Sequence, residues 1–189
     1  MRQENRPRCL GQRGVAALEL ALIVPVMLVL AFVIIDFGRL IQARLVVANL
    51  SREGGSLASR DIDTAPDIIK MLQAGASPLN IINNGRIFIT RIQAGTGPNN
   101  PEPFIDPQES AQGGNLNVAS SIGNGKANFG LTPQIYNHLE YDEGQKAADT
   151  SNVTVCEVYY NYTPLTPIGK FVPGLFVGGS TILASRAVF

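Results

Sequence analysis

Residues Val15 to Ile35 form an apolar run of 21 residues that contains a single charge, Glu19. A helix needs about 20 such residues, at ~1.5 Å rise each, to cross the roughly 30 Å hydrocarbon core of a bilayer. A core helix of a soluble domain carries a polar stripe, and Leu20 to Ile35 carries none. The run is therefore read as a membrane-spanning helix. Arg2, Arg6, Arg8 and Arg13 precede it, opposed only by Glu4. That bias places the N-terminus in the cytoplasm and the remainder outside. A cleaved secretory signal fits less well. The run is long for its apolar region, and no small-x-small site closes it before Asp36-Phe37-Gly38-Arg39.

Two residues inside the run need a physical reason. Pro25 removes a backbone hydrogen bond and tends to kink a helix, which membrane helices tolerate. Glu19 is more costly, because an ionisable group at membrane depth is rare and is a functional-site hypothesis by default. Beyond Asp36 the sequence stays helix-forming to about Glu53, a rod of roughly 58 Å from Val15. Its apolar positions (Leu40, Ile41, Leu45 to Ala48, Leu50) occur nearly all round. Gly54-Gly55 either ends the helix or thins it for close packing.

The remainder is rich in glycine and proline, which implies a loop-rich portion. A short helix follows Asp61, with Asp63 or Thr64 as cap and Pro66 in its first turn. Arg86 to Ile92 reads as a strand after an Asn84-Gly85 turn. Thr96 to Gly130 reads as a long surface loop, and Thr132-Pro133 starts a short helix through about Leu139. Val153 to Tyr162 is the strongest strand, with Thr154, Cys156, Val158, Tyr160 and Tyr162 on one face. Thr181 to Phe189 is the last. The expected fold class is α+β, a long N-terminal transmembrane helix extended into a stalk and then a small antiparallel sheet with long loops. Three parts are expected: residues 1–14 before the span, 15–60 the long helix, and 61–189 the exported domain.

Function classes narrow quickly. Lys+Arg and Asp+Glu both number 15, and no basic excess points to nucleic acid. His138 is the single histidine and no nucleophile motif surrounds it, so no catalytic residue is assigned and the chain is not read as an enzyme. Asp61, Asp63 and Asp67 lack the glycine turn and terminal glutamate of a calcium loop; they are read as capping and solvating, with no metal and no cofactor. Cys9 and Cys156 lie on opposite sides of the membrane run, so they are not expected to pair. The stretch Pro164 to Gly178 carries Phe171, Leu175 and Phe176. It is either a partner or membrane contact or a loop folded back on the sheet.

Gly14-Val15-Ala16-Ala17-Leu18-Glu19, between a basic leader and an apolar helix, resembles the processing site of type IV prepilins. The longer signature narrows this: Arg13-Gly14, Glu19, Pro25, Asp36-Phe37-Gly38-Arg39 and Arg52-Glu53-Gly54-Gly55. Together these are similar to TadE-like pseudopilins, minor pilins of the tight-adherence (Tad/Flp) type IV pilus system. Val155 to Leu165 resembles the late strand and Tyr-Thr-Pro turn of the same group. Leu20 departs from it, standing where these pseudopilins often carry tyrosine. The resemblance implies that a membrane prepilin peptidase cuts between Gly14 and Val15, and that Gly14 offers it an extended junction. It implies that Glu19 then neutralises the new α-amine of a neighbouring pilin. Pro25, Phe37 and Gly38 would serve helix packing. The implied partners are the inner membrane, the peptidase and other pilins. The alternative is an uncleaved single-span envelope protein whose exported domain binds a ligand.

Overall fold

A computed structural model describes residues 10–141, 151–166 and 180–189, with side chains from residue 14 onward. Helix α1 (Leu10–Ser59) is one continuous 50-residue element that includes Pro25, about 75 Å long at ~1.5 Å per residue. It is long and apolar enough to cross a membrane. Gly54-Gly55 does not end it; the helix runs four residues further, to Ser59. The pair instead thins it. A Cβ added to Gly54 would lie 2.6 Å from Leu72 Cδ1 and 2.7 Å from Cys156 Sγ, and one on Gly55 would meet the Phe189 ring. Only hydrogen atoms at these positions allow the helix to approach the sheet this closely.

The sheet is built from β1 (Gly85–Gln93), β2 (Phe104–Gly113), β3 (Asn152–Tyr162) and β4 (Thr181–Val188). Its order is β2-β1-β3-β4, and every neighbouring pair is antiparallel. The lower half of α1 lies across β3 and β4, and α2 (Ala65–Gly75) packs on β2 and α1. Val47, Leu50, Ile68, Leu72, Ile87 and Val158 form the main core between helices and sheet. The expected face of β3 is the one that meets it: Cys156, Val158 and Tyr160 join this core, and Tyr162 a smaller one with Ala43.

The other face of the sheet is covered by the segment after β2. A second core gathers Ile92, Ile122, Leu131, Leu139 and Val155, with Leu139 coming from α4 (Pro133–Leu139), while the short α3 (Ile81–Asn84) leads into β1 and gives Ile81 to the main core. Buried Glu157 on β3 pins that covering segment. Its carboxylate accepts from the Ser121 amide at 3.1 Å and from the hydroxyls of Ser120 and Ser121.

Strand β2 falls inside the stretch expected to be loop. Phe104-Ile105-Asp106-Pro107-Gln108-Glu109 offers no alternation and includes a proline. Pairing to β1 supplies what local sequence lacks, and the register shifts between Ile89 and Arg91. A bulged edge strand is where proline is tolerated. The short helix after Asp61 is present, but Thr64 caps it by backbone geometry only; its hydroxyl donates to Asp67 at 2.6 Å. The aspartates there have protein partners. Asp67 also accepts from Lys70 at 2.8 Å. Asp61 pairs with buried Arg91, which reaches Glu109 as well, and this guanidinium holds the Asp61 carboxyl below its ordinary range.

Candidate functional site

Gly14 lies inside α1, with nothing near the position of a Cβ. The extended junction expected there is therefore helical in this structure. Glycine costs about 1 kcal/mol in a helix interior relative to alanine, so local unwinding at this point is cheap. Val15 and Glu19 are exposed, and so are Leu18, Leu20 and Leu22 around them. Pro25, Phe37 and Gly38 are exposed too, and none belongs to a core. From Gly14 to Ile35, then, the described chain leaves the helix surface open apart from half-buried Val33. The loop candidates Phe171, Leu175 and Phe176 lie outside the described residues, as do Cys9 and most of the leader.

The environment changes at Asp36, one residue past the apolar run. Its side chain is 1% exposed. Oδ1 accepts the backbone N–H of Leu165 at 3.0 Å and of Thr166 at 3.2 Å, and Oδ2 accepts the Thr166 hydroxyl. Its backbone carbonyl accepts the Tyr162 hydroxyl at 3.0 Å. One residue thus fastens the helix, at the end of its apolar run, to the end of β3. A carboxylate holding several N–H and O–H donors forms charge-assisted bonds, about twice as strong as neutral ones. Burial, with the Asp36 charge added, pushes the Tyr162 phenol above its ordinary value and keeps it a donor.

The sequence contained both halves of this fastening, Asp36-Phe37-Gly38-Arg39 and Tyr162-Thr163-Pro164, without any sign that they meet. They are separated by more than 120 residues. An acidic residue at the end of a spanning run reads as a solvated boundary charge; only tertiary structure shows it buried.

The outward side of α1 continues past the span. Phe37, Ile41 and Leu45 are 59%, 46% and 59% exposed and recur every four residues, a spacing that aligns them on one face. Opposite them, Asp36, Ala43, Val47, Leu50 and Ala58 are buried against the domain. The arrangement can seat one helix face on its own sheet and offer another helix a continuous apolar strip.

Residues 14–56 match the family model described as TadE-like protein, which covers the span and most of the domain-facing half of α1. No curated protein and no solved structure matches the chain.

Proposed function

We propose, from the TadE-like match over α1, that this chain is a minor pilin or pseudopilin that assembles into a tight-adherence type IV pilus apparatus. It is inserted in the inner membrane with its N-terminus in the cytoplasm and its domain outside. Prepilin peptidase removes the leader after Gly14, and the mature helix packs against other pilins. The observation that carries this reading is the bare helix surface: from Gly14 through Leu45 an apolar strip faces away from the domain. A lone anchor needs apolar surface only within the bilayer, and this strip runs about 15 Å past it.

The mechanism is association, not catalysis. Cleavage would create an α-amine on Val15 at the membrane boundary. An ammonium and a carboxylate in low dielectric are each costly unpaired, by several kcal/mol. Glu19 lies four residues along, about 6 Å, and is exposed toward a neighbour. Subunits that stack with Glu19 beside the next α-amine would satisfy both groups.

Mass spectrometry of membrane-extracted variants, with a pilus assay, tests the two steps separately. Gly14→Val is expected to stay uncleaved while still inserting. Glu19→Gln keeps shape and removes charge, so it is expected to be cleaved and to assemble poorly. A cleaved Gly14→Val would remove the processing assignment, and normal assembly by Glu19→Gln the amine pairing. An intact N-terminus in the native protein would favour the single-span alternative.

A further inference from the structure

Between the membrane end of α1 and the end of β3 lies a cavity of about 230 Å³, lined by Arg39, Gln42, Tyr160, Tyr162, Thr163 and Leu165 among others. We propose that this cavity binds the phosphate of an anionic phospholipid headgroup. The inference rests on Val15–Ile35 spanning the bilayer.

Depth is the first argument. The hydrocarbon core is about 30 Å thick and the headgroup layers bring the total to about 40–45 Å, leaving roughly 5–8 Å on each side. Arg39 follows Ile35 by four residues, about 6 Å along the helix axis. Its guanidinium therefore sits in the headgroup layer, and a free phosphate has no reason to concentrate there. Gln42, about 10 Å beyond Ile35, marks the watery end of the cavity.

Charge is the second. Arg39 is exposed and has no hydrogen-bond or ion-pair partner among the described residues. The nearest carboxylate along the helix, Asp36, is buried and occupied by the Leu165 and Thr166 amides and the Thr166 hydroxyl. Among the described residues, the cavity mouth thus presents Arg39, whose planar fork suits a phosphate. The walls fit the same ligand. Tyrosines are favoured at this depth, where an apolar ring and a polar tip meet the interface, and Leu165 is 66% exposed beside them. Basic pockets between membrane helices on the cytoplasmic side bind lipid headgroups, and the same charge pairing is available here on the outer side.

The test uses the full chain in vesicles of phosphatidylcholine with and without phosphatidylglycerol. Flotation scores insertion, and native mass spectrometry of the extracted chain counts retained lipid. Wild type is expected to float and to retain phosphatidylglycerol in preference to phosphatidylcholine. Arg39→Gln is expected to float equally and to lose that retention by about tenfold or more, the loss of a charged hydrogen bond. Arg39→Lys should recover part of it, as a point charge without the fork. Arg44→Gln, exposed on α1 outside the cavity, should match wild type. Equal losses in Arg39→Gln and Arg44→Gln would overturn the site in favour of unspecific charge, and no loss in Arg39→Gln would overturn it outright. Displacement of the lipid by millimolar inorganic phosphate would make free phosphate the ligand and overturn the lipid assignment. A chain that does not float overturns the spanning helix and this site with it; one that floats without selective retention overturns the site alone.

Discussion

From Gly14 to Ile35, every side chain of α1 is exposed except Val33, which is half-buried. From Asp36 to Ser59 the same helix buries one stripe against a sheet. No break separates the two halves. The first half is apolar all round except at Glu19. The second is chosen for fit: its buried stripe includes an aspartate, a serine, alanines and two glycines. Burial and apolarity, which coincide in most helices, are here divided between the halves. The bare half fits a membrane anchor, and the covered half fits contact with one particular surface.

The largest effect expected from this contrast is alkaline. Cys156 is fully buried beneath Gly54 and Gly55, and burial, with Glu157 nearby, pushes its thiol up to about 12 from an ordinary 9.0. Above pH 9 the unfolded chain has lost this proton and the folded one has kept it. The unfolded state then binds fewer protons, so stability falls as pH rises. The loss reaches about 4 kcal/mol near pH 12. The raised phenols of Tyr159 and Tyr162 act in the same direction. Urea unfolding of the full chain in detergent, followed by circular dichroism between pH 8 and 11, should show the slope. Cys156→Ala should flatten it. The bare half has no such group and should keep its helicity throughout. An identical slope in Cys156→Ala would mean that the thiol is reached by water and that the close helix–sheet contact is wrong.

Glycine gives the second comparison. Gly54 and Gly38 stand on the same helix, one against Leu72 and Cys156 and the other with nothing within 4 Å of its Cβ position. Gly54→Val overpacks the contact and should cost about 3 kcal/mol. Gly38→Val should stay within about 1 kcal/mol, because glycine is itself poor in a helix. The pilus assay should reverse the order of interest. If Gly38 packs against a neighbouring pilin, Gly38→Val folds normally and fails to assemble. Normal assembly by that variant would remove Gly38 from the packing surface.

The legibility of the chain follows the same division. Hydropathy found the bare half at once, because a bilayer reads composition and nothing else. The strands β1 and β3 were also visible, since β-branched and aromatic residues are concentrated there, and β4 lies in the last stretch expected to be strand. The face of β3 was legible from Thr154 to Tyr162 because period two fixes faces without further information. The covered half of α1 was not. Its stripe mixes Ala43, Val47, Leu50 and Ala58 with Asp36, Gly54 and Ser51, the last bonded to Ser185 at 2.8 Å, while Ile41 and Leu45 stay exposed, so apolarity alone does not mark the buried face. Strand β2 was hidden for a related reason: an exposed edge takes its conformation from its neighbour. Arg39 stands in the sequence beside Asp36-Phe37-Gly38, but the cavity that holds it needs Tyr160 and Thr163 from the other end of the chain.

The smallest effect, and the most pointed test of where the two halves meet, lies at Asp36. If this residue were only a boundary charge in solvent, removing it would change stability by at most about 0.5 kcal/mol. In the fold described here, Asp36→Ala removes the acceptor of two amides, Leu165 and Thr166, and of the Thr166 hydroxyl. Leaving buried donors unpaired costs about 1–3 kcal/mol, and about 2 kcal/mol is expected because Leu165 is itself exposed and its amide can find water. Asp36→Asn should recover most of the loss. Its amide oxygen can accept the two N–H groups, and its NH₂ can donate to the Thr166 oxygen. Urea unfolding gives the stability, and hydrogen exchange at Leu165 and Thr166 gives the location. Faster exchange at these two amides in Asp36→Ala, with Asp36→Asn close to wild type, would show that hydrogen bonding rather than charge joins the span to the domain. Equal losses in both variants would mean that the negative charge itself is required, and unchanged exchange in both would separate the end of β3 from the helix altogether.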